Sequence, residues 1–154
     1  MCPLMDDALP RDPYDLARFL KAQDGVFDAA CRELRDGLKR SHFMWFVFPQ
    51  LAGLGRSSTA QFYAIGSLAE ARAYAAHPVL GPRLATATRA VLDADERDPL
   101  RLFGAPDHLK FRSSMTLFGI ADPARPIYAE ALNELFDAKP DMRTVESPII
   151  KAHI

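Results

Sequence analysis

The stretch from Lys39 to Ser58, KRSHFMWFVFPQLAGLGRSS, gathers most of the side chains in this chain that are able to do chemistry. His42 has the ring for general base catalysis or a ligand contact. Trp45 and, just beyond, Tyr63 offer faces on which a planar group can stack. Lys39 and Arg56 supply positive charge, and Gln50 can orient a polar ligand. Ser57 stands at a predicted helix start, where free N–H groups and the positive dipole end suit a carboxylate or phosphate. A second group, Lys110, Ser113, Ser114 and Thr116, lies on a predicted helix. Lys110 and Ser114 share a face there. That spacing allows a Ser–Lys nucleophile pair, which requires burial to depress the lysine pKa.

Each candidate also has a structural role open to it. Lys39 can cap a helix C-terminus, His42 and Gln50 can bond backbone, and Ser57 can be a helix cap beside a solvated Arg56. The hydroxyls of Ser113, Ser114 and Thr116 can bond carbonyls one turn back. Trp45, in so dense an apolar run, is expected in the core.

The elements around these residues read as helices. Leu16, Phe19 and Leu20 share one face, and Gln23-Asp24-Gly25 interrupts the pattern. Val26, Phe27, Ala30, Leu34 and Leu38 mark a second helix, with Gly37 near its end. His42 to Leu51 is a continuous apolar block, expected as a short helix or an irregular buried segment. Ser67 and Glu70 form a capping box. A helix from Val79 to Ala94 tolerates Pro82 only in its first turn. Asp98-Pro99, Pro106-Asp107 and Asp122-Pro123 each announce another start. The sum is an all-α fold, a single compact multihelical domain of about seven to eight helices. Residues 1–13 read as an irregular lead-in, 14–146 as the domain and 147–154 as a frayed tail.

The totals exclude several classes. The chain has 154 residues, 49% apolar and 25% charged, with a net charge of −1, so one ordinary globular domain is expected and disorder is not. No basic excess points to nucleic acid, and no apolar run is long enough for a membrane span. An N-terminus of acids and prolines does not read as a signal peptide, and the expected setting is a reduced cytoplasm. Cys2 and Cys31 are expected to remain unpaired thiols. The histidines are not at metal-ligand spacings. No Gly-x-Ser-x-Gly elbow, dinucleotide fingerprint or Walker lysine is present. Neither a metal nor a cofactor is therefore implied.

Arg18-Phe19, Ala22-Gln23, Lys39, Ser41-His42, Met44-Trp45, Phe48-Pro49-Gln50 and Gly53-Leu54-Gly55 together form a recognisable pattern. It continues through Tyr63-Ala64-Ile65, His77-Pro78 and Ser113-Ser114-Met115-Thr116-Leu117-Phe118. The pattern resembles the bacterial domain-of-unknown-function family 1810 over about residues 14–146. The resemblance implies a single all-helical domain and no stated activity. Automated labels sometimes call such proteins calpastatin, but nothing here resembles the long, disordered, proline- and lysine-rich inhibitor of that name.

The residues thus point to a polar pocket near Trp45 that binds or hydrolyses a small anionic or nucleotide-like ligand. In that reading His42, Lys110 and Ser114 would be catalytic, and Lys39, Trp45, Gln50, Arg56, Ser57 and Tyr63 would bind. The alternative is a non-catalytic protein-interaction module whose polar cluster is structural. Convergence of Lys39, His42, Gln50, Arg56 and Lys110 on one concave surface would favour the first. Whether the chain is an enzyme, and its oligomeric state, are not written in the sequence.

Overall fold

The computed structural model describes residues 11–152, and among these residues the chain is all helical. Eleven helices follow one another: α1 Ala17–Gln23, α2 Phe27–Arg35, α3 Met44–Val47, α4 Ser58–Phe62, α5 Leu68–Ala76, α6 Leu80–Asp93, α7 Pro99–Phe103, α8 Asp107–Ala121, α9 Ile127–Phe136, α10 Met142–Val145 and α11 Pro148–Lys151. Extended pairing within this range is confined to one parallel bridge, between Leu51 and Ile65. The helical class is as expected, but there are more helices than the seven or eight read from periodicity. Three of them, α3, α10 and α11, have 4 residues each, too few to show a hydrophobic period. No described helix is long and apolar enough to cross a membrane. Cys2 and His153 lie outside the described residues.

Helix α8 is the centre. It packs against α9, α5, α10, α7 and α3, and Phe111 together with the whole run Ser113 to Phe118 is buried. A helix enclosed along this stretch has no polar face to show there. Ser113 and Thr116 meet this burial by donating to the carbonyls of Leu109 and Arg112, at 3.0 and 2.8 Å. The Thr116 hydroxyl also accepts the Asp141 N–H at 2.8 Å, which ties the approach to α10 onto α8. Phe111 stacks on Phe103 with centroids 4.6 Å apart and meets Phe48 edge-on at 4.9 Å.

The helix signals mostly act where they stand. The Ser67 hydroxyl accepts the Glu70 N–H at 3.0 Å, while the Glu70 carboxylate reaches back to Gly66 N–H at 3.0 Å. Asp98 caps α7 ahead of Pro99, and Pro82 sits in the first turn of α6. Three readings need correction. Helix α9 begins at Ile127, because the residues after Asp122 first close a turn in which Arg125 N–H meets the Asp122 carbonyl at 3.1 Å. Helix α2 stops at Arg35, so Leu38 lies beyond it and is exposed. The expected frayed tail contains α11, capped by Ser147, with Ile150 fully buried.

A closed polar network binds α1, α5 and α6 to the apolar block. The Gln23 amide donates to the Phe46 carbonyl at 2.7 Å and to the Tyr74 hydroxyl at 3.2 Å. Arg83 donates to the Gln23 side-chain oxygen at 3.3 Å. Burial raises the Tyr74 phenol well above its usual value.

Candidate functional site

The apolar block seats itself through one helical turn. Met44, Val47 and Phe48 are spaced to share a face, and all three are buried together with Phe43. That register places Trp45 on the opposite side, where it is partly exposed and outside the core cluster. The expectation that Trp45 belongs to the core is therefore corrected: its neighbours form the plug, and the indole stands at the edge.

Two polar residues flank that indole. The His42 ring lies 6.3 Å from it, centroid to centroid. The Lys110 ammonium sits 5.5 Å above its ring. Lys110 is one of two cations on a single carboxylate: Asp107 holds Lys39 at 2.8 Å and Lys110 at 3.5 Å. The Lys39 side chain is only 5% exposed and lies 5.1 Å from the Phe43 ring centre.

The fold places each member for a local reason. Asp107 opens α8, where an acid suits the helix dipole, and Lys110 follows one turn on. The segment after α2 brings Lys39 in. Its N–H donates to the Leu102 carbonyl at 2.7 Å, and the Glu33 carboxylate accepts the N–H groups of Arg40 and Ser41 and the Ser41 hydroxyl. Burial works to raise the Glu33 pKa, but the hydrogen bonds from Ser41 and Arg40, with the Lys39 charge, hold it below its ordinary value.

Beside Trp45 and Lys110 lies a notch of about 10 Å³. Gln50 and Phe48 line it from the body of the fold. Ala60, Tyr63 and Ala64 close it from a flap. The flap is residues 52–64, and its neck is pinned where Ala52 N–H meets the Ile65 carbonyl at 2.8 Å and Ile65 N–H meets the Gln50 carbonyl at 3.0 Å. Two glycines shape it. Gly53 adopts φ +96°, which disfavours any side chain. A Cβ at Gly55 would come within 2.6 Å of the Ala60 Cβ and 3.2 Å of the Gln50 amide nitrogen, so only glycine lets the flap close on Gln50.

The expected site residues divide. Lys39, His42, Trp45 and Lys110 come together, and Gln50 and Tyr63 share the notch with the last two. Arg56 and Ser57 sit on the exposed side of the flap. Ser57 caps α4 by accepting the Ala60 N–H at 3.1 Å, and the Arg56 carbonyl accepts from Gln61. Ser114 is fully enclosed, and its hydroxyl has no hydrogen-bond partner, Lys110 included. Asp107, read from the sequence as part of a helix start, is the member that sequence reasoning missed. Its spacing of three from Lys110 is a readable signal, its contact with Lys39 is not. Among the described residues no three His, Cys, Asp or Glu side chains gather where a metal ion could sit.

The sequence model of a family described as a protein of unknown function (DUF1810) matches residues 13–147. No curated protein matches the chain. Among solved structures, the chain is similar to the conserved hypothetical protein Rv1873 from Mycobacterium tuberculosis, with 48% identity and a TM-score of 0.85. The match covers 87% of this chain and 96% of that one.

Proposed function

This chain belongs to the DUF1810 family, and from that premise we propose that it binds a small anionic ligand of nucleotide-like chemistry, whose negative charge Lys110 holds beside Trp45. One observation carries the reading: Asp107 is held at 2.8 Å by the buried Lys39 and only at 3.5 Å by Lys110, which leaves the Lys110 ammonium loosely paired next to a partly exposed indole. At about 5 Å and an effective dielectric near 20, a unit charge attracts an anion by roughly 3 kcal/mol before the opposing Asp107 carboxylate is counted. The cation–π contact that holds Lys110 over Trp45 is worth about 0.5–2 kcal/mol, so an anion competes well for the ammonium. His42 and Gln50 are the polar groups left to orient the ligand. The role is binding; with Ser114 enclosed in the core, Lys110 has no hydroxyl partner for covalent chemistry there.

Thermal melts of the full chain with inorganic phosphate, sugar phosphates and adenosine monophosphate test this. A ligand at 100 times its Kd adds about 2.7 kcal/mol, and Lys110→Gln should remove that gain. A gain that survives Lys110→Gln overturns the reading. The competing reading, a protein-interaction surface, draws support from Phe62, 57% exposed on the flap. It predicts that none of these anions moves the melt.

A further inference from the structure

Away from the Trp45 notch, an open groove of about 460 Å³ is lined in part by Asp15, Ala17, Arg18, Lys21 and Phe62. Its volume falls within the roughly 300–1,000 Å³ of small-molecule sites. The banks are fixed by one side chain. Arg18 donates to the carbonyls of Tyr14 and Asp15 on one bank, to those of Phe62 and Ala64 on the other, and to the Glu70 carboxylate. These bonds use every N–H of the guanidinium. The guanidinium carbon lies 4.4 Å from the ring centre of the fully buried Phe19. Arg18 therefore has no donor to offer a molecule in the groove. What it can offer is the flat face turned away from Phe19, a surface on which planar rings stack.

Charge and shape narrow the occupant. Asp15 and Lys21 stand three residues before and three after Arg18, and both are exposed. They are opposite in sign, and Glu70 balances Arg18 at 2.7 Å, so the groove carries no net charge. A neutral molecule suits it better than an anion. Phe62, 57% exposed, adds an aromatic wall, and its edge-on contact with Tyr63 at 4.8 Å steadies that ring.

We propose that the groove is a binding site for a neutral planar heterocycle of the nucleobase class, laid on the Arg18 face with Phe62 beside it. Asp15 accepts an N–H from one edge of the ring, and Lys21 donates to a ring nitrogen or carbonyl on another. The banks stay where Arg18 holds them, so the site is preformed. It is separate from Lys110 and does not rest on the anion reading.

Equilibrium dialysis of the full chain against adenosine tests this, since adenosine carries no charge for Lys110 to hold. Ribose, which lacks the base, is the control. Phe62→Ser removes the aromatic wall, and Ala17→Phe fills the groove from an exposed position. Melting temperatures check that both variants fold. The expected result is saturable binding of adenosine, about tenfold weaker, equal to 1.4 kcal/mol, in each variant, and no binding of ribose. Wild-type affinity in either variant overturns the site. No saturation with adenosine, or equal affinity for ribose, overturns it too. None of these results bears on the anion reading, which the phosphate melts with Lys110→Gln decide separately.

Discussion

Two ion clusters in this molecule use similar parts to opposite ends. Arg18 and Glu70, both about 10% exposed in their side chains, meet at 2.7 Å. The guanidinium bonds four backbone carbonyls besides, and the second Glu70 oxygen takes the Gly66 N–H. Charge and hydrogen bonds balance within the protein. Lys39, Asp107 and Lys110 form the other cluster, in which Asp107 meets the buried Lys39 at 2.8 Å and Lys110 at 3.5 Å, and the Lys110 and Asp107 side chains are 25% and 22% exposed. The first arrangement can hold elements together and has no hydrogen-bond donor left for a ligand. The second leaves Lys110 loosely paired and open to solvent. The contrast shows that how tightly a charge is held, more than the presence of charged residues, separates a brace from a candidate site.

Breaking the balanced cluster should have the largest effect. Glu70→Ala leaves the largely buried Arg18 guanidinium without its carboxylate, and the expected loss is about 3–5 kcal/mol in urea melts. A loss below 1 kcal/mol would mean that the pair is not a brace.

Alkali should come next. Burial pushes the Tyr128 phenol up to about 12, against the pull of the Arg125 charge, and raises Tyr74 in the same direction. A folded pKa above the unfolded value of about 10 stabilises fully below pH 10, and that contribution is lost as pH rises towards the folded value. Unfolding followed from pH 9 to 12 should show this decline, and Tyr128→Phe should reduce it. The same variant should cost no more than about 1 kcal/mol at neutral pH, since Arg125 is the only group near enough to interact with the hydroxyl among the described residues.

The open cluster should respond weakly in stability and strongly in charge. Asp107→Asn is expected to cost about 1–3 kcal/mol, because Lys110 keeps contact with solvent while the buried Lys39 ammonium loses its carboxylate. It should also tighten phosphate binding, since the carboxylate nearest Lys110 is gone. Weaker phosphate binding would contradict the charge argument. Trp45→Ala, an edge residue, should likewise cost about 1 kcal/mol rather than the 3–5 expected of a buried ring.

Ser114→Ala should have the smallest effect. Removing a buried hydroxyl without a partner should leave stability unchanged to within about 1 kcal/mol and leave ligand binding intact.

What the sequence made legible was local. The Ser67 cap, the Asp98-Pro99 start and the hydroxyl back-bonds of Ser113 and Thr116 are decided within a turn of chain, so residue order suffices to read them. The position of Trp45 depended on which residues of one turn faced inward, and a wholly apolar block gives no phase to tell. The pairing of Lys39 with Asp107 joins distant parts of the chain and leaves no periodic trace. Ser114 looked like a partner for Lys110 because spacing records a shared face. Spacing does not record that α8 is enclosed on that side.

Ion quenching of Trp45 tests the central claim most directly, since no other tryptophan contributes. Iodide and caesium are of opposite charge, and each meets an indole with the Lys110 ammonium 5.5 Å from its ring centre. The account predicts that iodide quenches more strongly than caesium at equal ionic strength, and that Lys110→Gln sharply reduces the difference. Equal quenching by the two ions, or a preference unchanged in Lys110→Gln, would contradict it.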